Sequence, residues 1–169
     1  GLQILNEIPA SSGKLYLEGK FNFSNGDYDL ATKMLLQGVG DAQSKASFYS
    51  LLAEIEQAKG NASTALDYYK LANKYDPYWQ KPLIKISQIE IVNGNYDYAL
   101  GVLKLAEKLG GKTNSLAAGK AQYFSYRYQL EEARKEAEIV LQSDPNQIDM
   151  LVALGIVELK DGKHQEAID

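Results

Sequence analysis

Few residues in this chain are able to do chemistry. It holds one histidine, His164, and no cysteine. Disulfides, thiol catalysis and thiolate metal sites are therefore excluded. His164 would have to act alone, since no nucleophile or carboxylate cluster stands at a useful spacing from it. The acidic pairs Glu131-Glu132 and Glu136-Glu138 would suit acid–base work, but Arg134 and Lys135 lie among them. Such a mixture is the solvated face of an amphipathic helix. Gly110-Gly111-Lys112-Thr113 has the ending of a phosphate-cradling loop. The first glycine of that motif is missing and no strand pattern precedes it, so the stretch reads as a connecting loop. The sequence thus offers no catalytic residue, no metal site and no cofactor site, and predicts that the chain is not an enzyme.

What it does offer is a period. Alanine recurs at Ala31, Ala65, Ala99, Ala133 and Ala167, each step being 34 residues. Glycine stands five residues earlier at Gly26, Gly60, Gly94 and Gly162. A fixed spacing of this size is that of a helix–turn–helix unit stacked in an array. With the alanine as position 20, position 8 holds Gly19, Ala53, Ser87, Ala121 and Gly155, all small. Small residues at both positions mark a close crossing of the two helices. Position 10 holds Phe21, Ile55, Ile89, Tyr123 and Val157, and position 4 holds Leu15, Tyr49, Leu83, Ala117 and Leu151. Helical periodicity puts both on the buried face of the first helix. The position-15 glycine ends that helix, because a left-handed residue there satisfies the last carbonyls without a Cβ clash. Pro77 and Pro145 end second helices. His164 occupies the position-17 slot that Tyr28 and Tyr96 fill elsewhere, which makes it a packing residue.

The register predicts first helices near 13–25, 46–59, 80–93, 114–127 and 147–160. Second helices follow near 28–39, 62–75, 96–109 and 130–142. The repeats then run 12–45, 46–79, 80–113 and 114–147, with 148–169 a truncated repeat and 1–11 the end of a preceding one, marked by Pro9. Further repeats are expected on both sides in a parent chain. The repeat at 114–147 departs from the others: Tyr128 replaces the turn glycine, inside the aromatic run Tyr123 to Tyr128. A tyrosine at positive φ is costly. Either that turn is remodelled or it is strained.

These positions resemble the tetratricopeptide repeat. The unit from Ala46 to Trp79 carries the pattern most fully, with Tyr49, Leu52, Ala53, Gly60, Ala65, Tyr69, Ala72 and Pro77. The resemblance implies an all-α, right-handed superhelical solenoid of antiparallel helix pairs. It also implies a concave groove lined by first-helix positions 2, 5, 9, 12 and 13. The candidate partner-binding residues are then Tyr16, Lys20, Phe23, Ser50, Glu54, Lys81, Ile84, Gln88, Ile91, Gln122, Tyr126, Val152 and Ile156. Phe23, Ile84, Ile91, Tyr126 and Ile156 are expected to be exposed apolar groups, which would suggest a partner. The carboxylate clamp of some family members is absent, since Tyr16 and Lys20 stand at its first two positions and Leu51 at the next.

Net charge is −4 with Lys and Arg scattered, so nucleic acid is not an expected partner. No apolar run is long enough to span a bilayer, and no membrane insertion by this segment is expected. The expected function is a non-catalytic scaffold holding a peptide or partner protein in the groove, within a bacterial assembly or export machine. A cytoplasmic chaperone or regulatory module, or the substrate-positioning repeats of an enzyme with its catalytic domain elsewhere, are the alternatives. No compartment follows from the residues; absent cysteine points to a bacterial periplasm or envelope before the cytoplasm. Two N-x-S triplets, at Asn22 and Asn61, would matter only in a secreted eukaryotic protein.

Overall fold

Capping decides where these helices begin and end. The computed structural model describes residues 11–146. The predicted helix at 147–160, Pro9, His164, Val152 and Ile156 lie outside them. Among the described residues there are eight helices and no strand. They are α1 (Ser12–Ser24), α2 (Tyr28–Gly38), α3 (Lys45–Ala58), α4 (Ala62–Tyr75), α5 (Gln80–Val92), α6 (Tyr96–Gly110), α7 (Asn114–Tyr126) and α8 (Leu130–Ser143). Their bounds agree with the predicted ones to within a residue or so at each end. Side-chain oxygens of Ser11, Asp27 and Thr113 accept from the backbone amides of Lys14, Leu30 and Leu116 and so start α1, α2 and α7.

Within each pair the turn is one repeated device. Gly26 and Asp27 donate backbone N–H bonds to the carbonyls of Phe23 (3.0 Å) and Asn22 (2.9 Å). Gly60 and Asn61 do the same to Gln57 and Glu56, and Gly94 and Asn95 to Ile91 and Glu90. This is the Schellman pattern, and its glycine sits at φ 81, 83 and 82° in the three turns. The divergent turn keeps the pattern. Tyr128 donates to Ser125 (3.2 Å) and Gln129 to Phe124 (2.9 Å), with Tyr128 at φ 57°. Of the two outcomes the sequence left open, the structure shows the strained one: the turn is unchanged and a non-glycine residue is held left-handed.

The chain divides into two compact units between Tyr78 and Trp79. In the first, α1 pairs with α2 and α3 with α4, and α3 also packs on α1 and α2. Its core is Ala31, Leu35, Ala42, Phe48, Leu51, Leu52 and Ile55. The small residues do what the period requires. A Cβ on Gly19 would lie 2.8 Å from Leu35 Cγ and 3.3 Å from the Ala31 carbonyl oxygen, so only glycine admits this crossing. In the second unit α5 pairs with α6 and α7 with α8, and α7 lies on both α5 and α6. Ala99 and Ala133 are closed from solvent there, as Ala31 and Ala65 are in the first unit.

The Gly110–Thr113 stretch is the connection from α6 to α7. Gln80 clamps it: Nε2 donates to the carbonyls of Ala106 and Gly111 (both 2.9 Å), and Oε1 accepts from Thr113 Oγ1 (2.7 Å). Thr113 is spent as a helix cap and in this clamp, which accounts for the motif structurally. Among the described residues no helix is long and apolar enough to cross a membrane.

Candidate functional site

The first helices α1, α3, α5 and α7 carry the candidate residues, and burial sorts them. In the first unit Lys20 is exposed and Glu54 half-buried. Tyr16 is half-buried against Phe48, ring centroids 5.1 Å apart. Phe23 is also half-buried, 5.9 Å from Tyr28, so it is a packing residue in part and not the free apolar group expected. Ser50 is only 1% exposed. Its hydroxyl reaches Glu54 Oε1 at 3.5 Å, inside the helix face. Exposed Gln57 has its side-chain carbonyl occupied by Tyr69 OH at 2.7 Å. Burial, with Glu54 adding to it, pushes the Tyr69 phenol well above its usual range. Tyr69 therefore stays a neutral donor and fixes the Gln57 amide.

In the second unit the apolar expectation is corrected. Ile84 is 3% exposed and Ile91 is 0% exposed. The reason is the helix lying above them. α7 approaches so closely that a Cβ on Gly119 would come within 3.3 Å of Ile84 Cγ2. Ile91 is seven residues along the same face of α5. These two are core. The exposed groups are Lys81, Val92 (62%) and Tyr126 (42%), with Gln88 and Gln122 half-buried beside them. Val92 stands at position 13, the last groove position of its repeat, and one residue from Ile91. It is the apolar group that the burial pattern leaves to solvent on α5.

Two buried carboxylates were not anticipated. Glu56 and Glu90 occupy the same repeat position, 34 residues apart, and are 7% and 6% exposed. Each is tied to the asparagine that follows the turn glycine. Asn61 Nδ2 donates to Glu56 Oε2 at 2.7 Å, and Asn95 Nδ2 to Glu90 Oε2 at 2.6 Å. Since Asn61 and Asn95 also donate their backbone amides to the Glu56 and Glu90 carbonyls, each turn is stapled twice. Lys59 Nζ completes the Glu56 group at 3.2 Å and reaches Asp29 at 3.7 Å. The staple also engages the Asn61 amide nitrogen, while Asn22 Nδ2 donates to the Glu18 carbonyl at 2.8 Å. The side-chain amides of both N-x-S triplets are thus in use.

The Asn61 hydrogen bond holds the Glu56 carboxyl below the usual carboxylate range; burial opposes this and Lys59 reinforces it. A depressed folded value means that the ionised group stabilises the fold above the unfolded glutamate pKa of about 4.3. That contribution is lost as pH falls through the folded value. Glu56→Gln should therefore be less stable than the parent near neutrality, and should lose less on acidification from about pH 5 to about pH 3. Urea midpoints at both pH values check this. Parallel profiles for the two proteins would contradict the assignment.

Among the described residues no three His, Cys, Asp or Glu side chains come together as a metal site would require. Lys120 is held between Glu107 (2.9 Å) and Glu136 (3.9 Å), an ion network joining α6, α7 and α8.

No family model and no curated protein matches the sequence. Solved structures do. A thermophilic tetratricopeptide-repeat protein of Thermus thermophilus matches with a TM-score of 0.80 at 18% identity, over 94% of this chain and 87% of that one. The Cut9–Hcn1 hetero-tetramer of the APC/C matches with a TM-score of 0.86 at 13% identity, over 99% of this chain but only 33% of that one. YrrB, described as a tetratricopeptide-repeat protein with an unusual peptide-binding site, matches with a TM-score of 0.66 at 14% identity, over 99% and 86%. The chain has the tetratricopeptide-repeat fold.

Proposed function

We propose that this protein is a non-catalytic interaction scaffold that takes a peptide or an extended partner segment along its exposed first-helix residues. The observation that carries the reading is the composition of those residues in the second unit. Exposed Val92 and Tyr126 stand among the half-buried amides Gln88 and Gln122, with Lys81 the only formal charge in the set. Apolar anchors beside amides suit a peptide, whose backbone uses the amides and whose side chains use the anchors. Lys20, Tyr16 and Glu54 offer a comparable but more charged set in the first unit. A net charge of −4 favours protein over nucleic acid as the partner. The described peptide-binding site of YrrB, a fold neighbour, supports the same class of ligand. The setting we favour is a bacterial assembly or export machine; the Thermus thermophilus fold neighbour bears on the bacterial part of that reading alone.

The test is the double change Val92→Asp with Tyr126→Asp. Both side chains are accessible, so helicity should be unchanged by circular dichroism. Binding of the native partner should fall by at least tenfold, and the parent's affinity should change little with salt because few charges are available to be screened. Retained affinity in the double variant, or a steep salt dependence in the parent, would place binding elsewhere.

A further inference from the structure

Tyr49 of α3 and Tyr75 of α4 stack with ring centroids 5.4 Å apart and planes 12° from parallel. Tyr68 also stacks on Tyr49, at 6.2 Å and 23°. Lys45 Nζ lies over the Tyr75 ring, 5.7 Å from its centroid. Lys45 and Tyr49 come from α3, and Tyr68 and Tyr75 from α4, so the cluster joins the two helices. Tyr75 is 48% exposed, so a small oxidant can reach this end of the stack. The chain carries twelve tyrosines and no cysteine, and a disulfide staple is not available to it.

We propose that Tyr49 and Tyr75 form an oxidative crosslinking site, at which a one-electron oxidant of the peroxidase or photochemical class joins the stacked phenols into an intrachain dityrosine. Each phenol gives one electron to the oxidant and its hydroxyl proton to water. The two neutral phenoxyl radicals couple through ring carbons ortho to the oxygens, forming one C–C bond. The hydrogens on those carbons then leave as protons and the oxygens are reprotonated, restoring both aromatic rings. The net loss is two electrons and two protons. Near-parallel rings at this separation can slide their ortho carbons into register and then close to bonding distance, whereas the Tyr68 pair is wider and more tilted. Burial, followed by Tyr75 and Tyr68, pushes the Tyr49 phenol up, so it enters the reaction protonated near neutral pH. The bond closes the chain between Tyr49 and Tyr75 and removes entropy from the unfolded state, as any covalent loop closure does.

The experiment exposes the purified chain to brief illumination with a ruthenium tris-bipyridyl photosensitiser and persulfate. The monomer is then isolated under denaturing conditions and its peptides are mapped by mass spectrometry. The expected result is a Tyr49–Tyr75 linked peptide, dityrosine fluorescence in the monomer and a raised melting temperature. Tyr49→Phe and Tyr75→Phe should each abolish the intrachain signal, while Tyr78→Phe, which removes a more exposed phenol (77%), should leave it. The proposal is overturned if monomer fluorescence survives in Tyr75→Phe. It is equally overturned if the parent's link maps to Tyr68 or another tyrosine, or forms only between chains. Mapping on the parent decides the matter even if a variant folds poorly.

Discussion

Ala99→Leu should destabilise the protein by about 1–3 kcal/mol, whereas Glu132→Leu should change stability by less than about 0.5 kcal/mol. Ala99 is closed from solvent at 0% exposure on α6, at the repeat position that Ala31 holds beside Gly19 in the first unit. Position 8 of the same repeat is buried Ser87, whose hydroxyl donates back to the Ile84 carbonyl at 2.7 Å. Three more carbon atoms at residue 99 must therefore push the helices apart. Glu132 stands one residue before Ala133, on the exposed side of α8. Thermal melts of the two variants check the claim, and comparable losses would show that the repeat faces are misplaced.

A paired substitution tests the turns. Gly94→Ala should cost about 1–2 kcal/mol, because a left-handed backbone is penalised by a Cβ. The added methyl would meet no other atom within 4 Å, so the loss would come from the backbone alone. Tyr128→Gly should go the other way. It relieves the same penalty, gives back about 0.5–1 kcal/mol of glycine entropy, and should raise stability by a few tenths to about 1 kcal/mol. Measured by urea denaturation, opposite signs support a strained Tyr128. A loss on Tyr128→Gly would mean that contacts of the 73% exposed tyrosine outweigh the strain.

The period was legible because it is written in residues with little freedom of substitution. An alanine at a helix crossing and a glycine at φ near 80° each have steric reasons to recur, so helix bounds could be placed from Ala31, Ala65, Ala99 and Ala133 with Gly26, Gly60 and Gly94. Burial on the first helices was less legible. Ile84, Ile91 and Val92 are all apolar, and only the seating of α7 on α5 decides that the first two are core and the third is not. The Glu56–Asn61 and Glu90–Asn95 staples had a visible signal, the same residue types at the same spacing in two repeats. That signal is weak on its own, because a glutamate near a helix end is ordinarily solvated. At Tyr128 the sequence stated the conflict between side chain and turn but not its outcome, which depends on whether the Schellman hydrogen bonds hold the backbone.

The central claim, that partner binding uses exposed first-helix residues, is tested most directly by site-specific photo-crosslinking. A benzophenone amino acid is placed singly at Val92 and Tyr126, and for comparison at Leu105 and Ile139, second-helix residues each 44% exposed. Irradiation in native cells should give one covalent adduct of the same mass from Val92 and Tyr126, and none from Leu105 or Ile139. Adducts from Leu105 or Ile139 with none from the first pair would contradict the account and move the binding surface to the second helices.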